Sequence, residues 1–316
     1  MSFPATLYGA EKDVYETGTF QQYPIGQKLV TPDGSIFRYT EMAGTASVVA
    51  SLNQAAVPTA GWLSQAATVA LAAGDSTITF RPTATALVAD ELAGGSVLVE
   101  ETDDLGGYYK IKSNTAANAD ADSVLTLEDG VTVKVAVAVA GGNVLTVLKS
   151  PWKDVVVAPA TAPTARTTGI SRVVIAANAY GWLQTRGVTS YLVNGTHIIG
   201  GSLVPSNAVA GALGRKSVSG TGTIANAETT EVVTHAMGST PTLDWINFVF
   251  GETPTQAITI WNVITLTATQ FTITINDPGA SGMDLGWSVT SPYAPVGTCV
   301  EVAPTADFGH CFLTIE

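Results

Sequence analysis

The sequence predicts an all-β protein built of small barrel or sandwich units, and three observations support this. Only 13% of the residues are charged, and Thr, Val and Ala fill much of the chain; Thr and Val favour strands because their branched β-carbons fit a pleated surface. The 31 glycines and 15 prolines supply many turns. Between those turns, short segments alternate between apolar and polar residues, which is typical of half-buried strands. A chain of 316 residues is expected to hold two or three such units.

Residues 1–50 are predicted to form an extended N-terminal arm and a β-hairpin. Residues 1–24 carry scattered aromatic residues without a period, so this arm either packs on the body or lies on a partner. Thr31-Pro-Asp-Gly34 is a strong turn signal, since Pro sets φ, Asp bonds its own backbone and Gly accepts a positive φ. Strand-like segments flank this turn. Residues 43–56 are the only fair helix candidate, and a loop is the alternative.

Residues 51–150 are predicted to form a β-barrel or sandwich. Gly- and Asp-containing turns separate the short strands of this stretch at intervals typical of small all-β domains. The predicted strands are Val69–Leu71, Ser76–Phe80, Ser96–Val99, Tyr108–Ile111, Ser123–Leu127, Val131–Ala138 and Val144–Leu148.

The remaining residues are predicted to form a small β-barrel that another module splits in two. A Pro-, Ala- and Thr-rich linker covers residues 151–168, and short strands follow it up to about Leu213. The same pattern resumes only in the last 25 residues. We therefore expect a barrel of residues 151–216 plus 292–316, with a β-sandwich of residues 217–291 inserted into it.

The charge balance and terminal sequence limit the partners. The net charge is −12, and an acidic chain repels phosphates, so nucleic acid is not an expected partner. The N-terminus lacks a signal-peptide pattern. The most apolar tract, residues 131–148, alternates and is broken by Lys134 and two glycines, so no membrane span is expected. Plain solubility explains the acidity as well as a basic partner does.

No constellation of catalytic or metal-ligating residues stands out. His197, His235 and His310 are far apart and lack metal-ligand spacing. The Asp pairs near residues 103 and 121 leave a calcium site open as an alternative to solvated turns, although the EF-hand spacing is absent. A pair of acidic residues for glycoside hydrolysis is not singled out either. We expect no enzymatic activity and no cofactor.

The two cysteines and the tryptophans each leave two interpretations open. Cys299 and Cys311 are either a single bridge across a C-terminal hairpin or two small buried apolar residues. Trp245 and Trp261 lie within strand patterns, where core packing is common. If they instead lie at the tip of the inserted sandwich, they are candidates for stacking on a host surface glycan.

Several segments resemble the head decoration, or cement, proteins of tailed bacteriophages. The resemblance covers most of the chain in outline, and the inserted stretch is similar to β-sandwich modules that recur in phage structural proteins. The segments that carry it are Pro24–Tyr39, Tyr180–Gly187, Gly200–Gly211, Pro295–Cys299 and Phe312–Ile315, with Gly220–Trp287 for the insert. The chain departs from the family pattern where this insert splits the barrel, between about Arg215 and Pro292.

The resemblance implies a virion structural protein on the outer capsid surface, assembled in the host cytoplasm. It implies a homotrimer that binds between subunits of the major capsid protein and displays the inserted module outward. Exposed aromatic residues beside Arg are typical interface anchors, so the predicted capsid contacts are Phe20, Tyr23, Phe37, Arg38 and Tyr39. The alternative function is a receptor-binding or tail-fibre-associated protein that binds carbohydrate.

Overall fold

The computed structural model describes residues 4–100, 103–139, 142–250, 261–276 and 282–316. It confirms the all-β prediction, with 44% of residues in strands and 4% in helical turns. The helical residues are short 3₁₀ turns, Glu11–Tyr15, Ala60–Trp62 and Leu243–Trp245. The strands are β1 (Thr6–Tyr8), β2 (Lys28–Val30), β3 (Ile36–Glu41), β4 (Leu52–Gln54), β5 (Gln65–Ala66), β6 (Thr77–Phe80), β7 (Ser96–Glu100), β8 (Tyr108–Asn114), β9 (Ser123–Leu127), β10 (Val144–Leu148), β11 (Val156–Val157), β12 (Thr167–Ser171), β13 (Tyr180–Val193), β14 (Ser202–Pro205), β15 (Ala212–Arg215), β16 (Ser217–Ile224), β17 (Thr230–Thr234), β18 (Ile246–Phe250), β19 (Trp261–Ile264), β20 (Gln270–Ile275), β21 (Met283–Thr290), β22 (Gly297–Glu301) and β23 (Phe308–Thr314).

The body of the protein is one sheet that closes into a small barrel. Strands β13, β15, β14, β22 and β23 pair in that order, and β23 pairs back onto β13 to close the ring. Tyr191, Leu203, Leu213, Cys311 and their neighbours fill its interior. The same sheet continues through β3, β2 and β1, and through β12, β4 and β11.

The N-terminal hairpin is therefore continuous with the barrel. Strand β3 pairs with the first half of β13, while β23 pairs with its second half. The turn between β2 and β3 forms as the sequence predicts, with Gly34 N donating to Thr31 O at 2.9 Å. Asp33 accepts bonds from the side chains of Ser35 and Thr31, which lower the pKa of its carboxyl to about 2. Segment 1–50 thus shares a sheet with segments 151–216 and 292–316.

The first unit is a six-stranded sheet of β5 to β10 that surrounds its own core. Its strand order is β5-β10-β7-β8-β9-β6. Inward-facing Val97, Val99, Ile111, Leu125 and Val147 are buried, as their alternation with polar neighbours predicts. This unit leaves the body after β4 and returns at β11, and these two strands pair with Val156 opposite Gln54. It is therefore also nested within the body.

The insert is a sandwich of two three-stranded sheets, β16-β21-β18 and β17-β20-β19. Phe271, Leu285, Trp287 and their neighbours form its core. Its two ends leave the body side by side, because Ser291 N donates to Lys216 O at 2.9 Å. The sequence predicts a strand over residues 258–263; residues 258–260 lie outside the described residues, and the rest is part of β19.

Four local predictions need correction. Residues 43–56 form no helix but a loop that leads into β4. Residues 131–138 form no strand but an irregular segment with a bend, and their strand-like contact is an isolated bridge from Val137 to Leu71. The sequence predicts a strand over Arg172–Ile175, whereas the strand before Tyr180 lies at Thr167–Ser171. It also predicts two strands, Tyr180–Gln184 and Ser190–Val193, which belong to one continuous strand, because β13 pairs with a different neighbour along each half.

Candidate functional site

The N-terminal arm is fastened to the body along its length. Strand β1 pairs in parallel with β2, and Gly18 forms a bridge with Tyr180. Val14, from the first 3₁₀ turn, is fully buried in a cluster with Phe37 and Trp182. The arm thus packs on the body as part of the fold, which is the first of the two alternatives that the sequence left open.

The arm nevertheless leaves aromatic rings in solvent. Phe20 is 82% exposed and Tyr8 is 85% exposed, and Tyr15 is also exposed. Burial of a large side chain contributes about 1.5–3 kcal/mol, so a fixed backbone that presents such rings to water is suited to contact with a partner. Phe20, which the sequence predicts as a capsid contact, is exposed as such a contact requires.

The other predicted contacts are partly or wholly covered by this chain. Phe37 and Tyr39 are buried in the same cluster as Val14, and Tyr39 packs edge-on against Trp182 with the ring centroids 5.0 Å apart. Tyr23 is half-buried against Tyr39. Phe37 and Tyr39 support the arm from beneath, because alternate residues of β3 face the core, and Tyr23 of the arm packs against this cluster.

Arg38, on the opposite face of β3, is already engaged. Its Nε donates to the Glu316 carboxylate at 2.9 Å, and its Nη1 donates to Gly26 O. Its guanidinium also lies over the Trp152 ring, 5.7 Å from the ring centroid. A partner that used Arg38 as an anchor would have to replace these contacts.

The two tryptophans proposed for glycan stacking are in different environments. Trp245 is buried, with Tyr293 edge-on to its ring at 5.3 Å, so its ring faces are not open to a sugar. Trp261, on edge strand β19, is 55% exposed. Its ring is edge-on to that of Phe248, with the ring centroids 6.1 Å apart. Within the pair, Trp261 alone offers a stacking surface.

The cysteines lie in the barrel core beside a tyrosine and a histidine. Cys299 and Cys311 stand opposite each other on β22 and β23, and both are free and buried. Burial raises the pKa of the Cys311 thiol to about 12 and raises the pKa of the Tyr191 hydroxyl as well. A buried thiol is a poor nucleophile because it stays protonated.

Two histidines are buried. His197 Nδ1 lies 2.5 Å from the Tyr191 hydroxyl, and its Nε2 faces Asn194 O. His235 Nε2 faces Thr267 O, while its Nδ1 accepts a bond from Met237 N. Burial lowers the pKa of both imidazoles. His310 is exposed and pairs with Glu301.

The aspartates that left a calcium site open are engaged with protein donors. Asp122 forms an ion pair with Arg81 at 2.8 Å, and Asp103 accepts bonds from Ala138 N and the Asn143 amide. Among the residues that the structure describes, no group of three His, Cys, Asp or Glu side chains is arranged to hold a metal ion.

The insert is seated on the barrel by a short strap, residues 235–240. Gly238 O accepts bonds from the side chains of Asn194 and Ser206, both at 2.7 Å. Asn207 exchanges two bonds with the backbone of Thr240. These hydrogen bonds fix the insert to the barrel in addition to its two covalent connections.

No protein-family model, curated protein or solved structure matches this chain. Within the described ranges, no helix has the length and apolar character that a membrane crossing requires.

Proposed function

We propose that this protein is a virion structural protein that decorates and stabilises the outer surface of a bacteriophage capsid. In this proposal it binds between major capsid protein subunits as a homotrimer, and the inserted sandwich faces outward. We assign it no catalytic role, no cofactor and no nucleic-acid or membrane partner.

The observation that carries the proposal is the anchored arm with its exposed rings. Phe20 and Tyr8 stand in solvent, while Val14 and the β1–β2 pairing hold the arm beneath them. An arm ordered in advance loses little conformational entropy when it docks, so more of the contact energy is kept as affinity. Repetition of such contacts over a shell gives strong coating from modest single contacts.

The charge and the engaged acidic residues agree with this role. The chain carries 26 acidic and 14 basic side chains, a balance suited to the outer face of a shell, away from packaged DNA. The aspartates at the candidate calcium positions bind Arg, amide and backbone donors instead.

The test is a double substitution on the arm, Tyr8→Ala with Phe20→Ala. Both side chains are exposed, so we expect a folded protein of unchanged oligomeric state that coats capsids lacking it at least tenfold more weakly, a change of about 1.4 kcal/mol. Coating is measured by co-sedimentation with the capsids. Deletion of residues 1–24 is a poorer test, because it also removes buried Val14.

The matched control is Val174→Ala, which removes a similarly exposed apolar side chain from the body. It should leave coating unchanged. Equal coating by the arm variant and the wild-type protein would contradict the proposal.

The second candidate is a receptor-binding or tail-fibre-associated protein that binds carbohydrate. The exposed ring of Trp261 beside Phe248 favours it, since aromatic faces stack on sugar rings. A glycan array probed with the full chain and with Trp261→Ala would detect this activity. Copy number per particle separates the two candidates, because decoration needs many copies over the whole shell and a tail part needs few.

A further inference from the structure

A cavity of about 370 Å³ lies where the first unit meets the body. The outward faces of β7, β8 and β10 line it with Ser96, Tyr108, Lys110 and Leu148. Residues 55–59, which lead from β4 into the unit, and residues 149–151, which lead back towards β11, also line it, as do residues 164–166 between β11 and β12. Its volume is within the usual range of sites for small organic ligands.

The charges around this cavity are opposite to those of the chain as a whole. Lys110, Lys149 and Arg166 line it, and none of its lining residues is Asp or Glu, although acidic side chains outnumber basic ones overall. Lys149 is neutralised by Glu91 and Asp154 at 2.7 and 2.6 Å. Two cations, Lys110 and Arg166, form no ion pair within the described part of the chain. The cavity therefore attracts anions.

The cavity also holds a buried donor without an acceptor. Trp62 lines it and is 2% exposed, and its Nε1–H has no hydrogen-bond partner among the described residues. An unsatisfied buried donor costs about 1–3 kcal/mol. Nε1 itself is closed off from solvent, so this donor belongs to the wall of the cavity and is not presented to a ligand.

The rest of the lining is apolar and partly aromatic. The Tyr108 ring is more than half exposed, with Lys110 Nζ 5.6 Å from its centroid. Val57, Pro58 and Leu148 contribute aliphatic surface. Such a surface suits the face of a ring, whereas an inorganic anion would leave it uncovered.

We propose that this cavity binds a small carboxylate borne on a ring, either a sugar acid or an aromatic acid. The carboxylate pairs with Arg166 and Lys110, because a guanidinium grips a carboxylate through two parallel bonds. The ring lies on Tyr108 and the aliphatic residues. Ligands of this size are expected to bind with a Kd of about 0.1–1 mM.

The experiment is a titration of the full chain followed by NMR or calorimetry. The probes are glucuronate and benzoate, with glucose and benzyl alcohol as their neutral counterparts and inorganic phosphate as a plain anion. We expect at least one carboxylate to bind at least tenfold more tightly than its neutral counterpart and than phosphate. Which of the two binds identifies a sugar acid or an aromatic acid as the ligand.

Variants locate the binding to this cavity. Lys110→Gln combined with Arg166→Gln should weaken binding at least tenfold. The control is Arg186→Gln, an exposed arginine on the barrel strand β13, which should bind as the wild type does.

Three results would overturn the proposal. These are failure of both carboxylates to bind, neutral compounds or phosphate that bind as tightly as the carboxylates, and unchanged affinity in the double variant. None of these results bears on capsid coating, so the two proposals stand or fall separately.

Discussion

The two units that interrupt the barrel are attached by joints of different character. The first unit meets the body around Trp152, which is buried beneath Arg38 and packs against Gly26. Next to that contact the joint stays open as a cavity. The insert meets the body through the strap 235–240, where side chains of the barrel donate hydrogen bonds to Gly238 O and Thr240 O.

The difference shows that the same topology, a unit inserted between adjacent segments of the body, is compatible with two kinds of junction. Both units leave and re-enter the body through adjacent segments, as tolerated insertions do. At the strap joint, polar side chains of the barrel bond the backbone of Gly238 and Thr240. The first joint keeps two cations, unpaired among the described residues, on the wall of a cavity, and this is the place where we propose a ligand.

The largest expected effect is at the first joint. Trp152→Ala removes a buried aromatic side chain and should lower the free energy of unfolding by about 3–5 kcal/mol. Urea unfolding measures the loss, and hydrogen exchange should rise at β4 and β11 while the insert stays protected.

Its control is Trp261→Ala on an exposed edge strand, where we expect a loss below about 1 kcal/mol. A comparable loss in both variants would mean that Trp152 does not hold the first joint.

The second largest loss of stability is expected at the strap. Gly238 has φ +74°, and a Cβ there would lie 1.8 Å from Asn194 O, so Gly238→Ala has to displace the strap. We expect a loss of about 3 kcal/mol from strain and overpacking, with faster exchange at residues 235–240. The readout is again urea unfolding with exchange.

Gly34→Ala is the matched control, since Gly34 also has a positive φ but nothing lies within 4 Å of the added carbon. It should cost only the backbone penalty, about 1–2 kcal/mol. Equal losses for the two variants would show that the strap is not tightly seated.

The smallest effect is a pH dependence at the insert joint. His197 and His235 have folded-state pKa values lowered by burial, so below about pH 6.5 the unfolded chain binds more protons than the folded one. Stability is therefore complete above the unfolded pKa and falls as the pH drops, by at most about 1.4 kcal/mol per pH unit for each histidine. Urea midpoints between about pH 7.5 and pH 5 measure this.

The double variant His197→Gln with His235→Gln should flatten this decline. His310→Gln, at an exposed site, should leave it in place. A wild-type profile that is level across the same range would rule out a role for the two buried imidazoles.

Sequence patterns predicted strands well where the strands that pair are close together in the sequence. The turn at Thr31–Gly34 and the hairpin around it follow from residues adjacent in sequence. Apolar and polar residues alternate over 131–138 as they would in a strand. The segment is nevertheless irregular, because no neighbouring strand is available to pair with most of its residues. The sequence predicts two strands in place of β13, because the two halves differ in composition. The continuity of β13 depends on partner strands that are distant in sequence.

The candidate site was predictable only in part. Phe20 and Phe37 lie in similar aromatic surroundings in the sequence, and one is exposed while the other is buried. That outcome depends on β13 and Trp182, which are more than 140 residues away. The cavity could not be predicted at all, because Trp62, Lys110 and Arg166 come from three separate segments. The nesting of the first unit was missed because residues 151–168 looked like a linker and contain the short return strand β11.

Strand β13 has a consequence for the order in which the chain can fold during synthesis. Its first half pairs with residues 36–41 and its second half with residues 308–314, so the barrel ring stays open until the second of these has left the ribosome. Both nested units carry complete cores of their own and are free to fold earlier, since domains generally fold as units during translation. The ring depends on contacts of very long sequence separation, which form slowly, so we expect closure of the barrel to be the last event, after both nested units have formed.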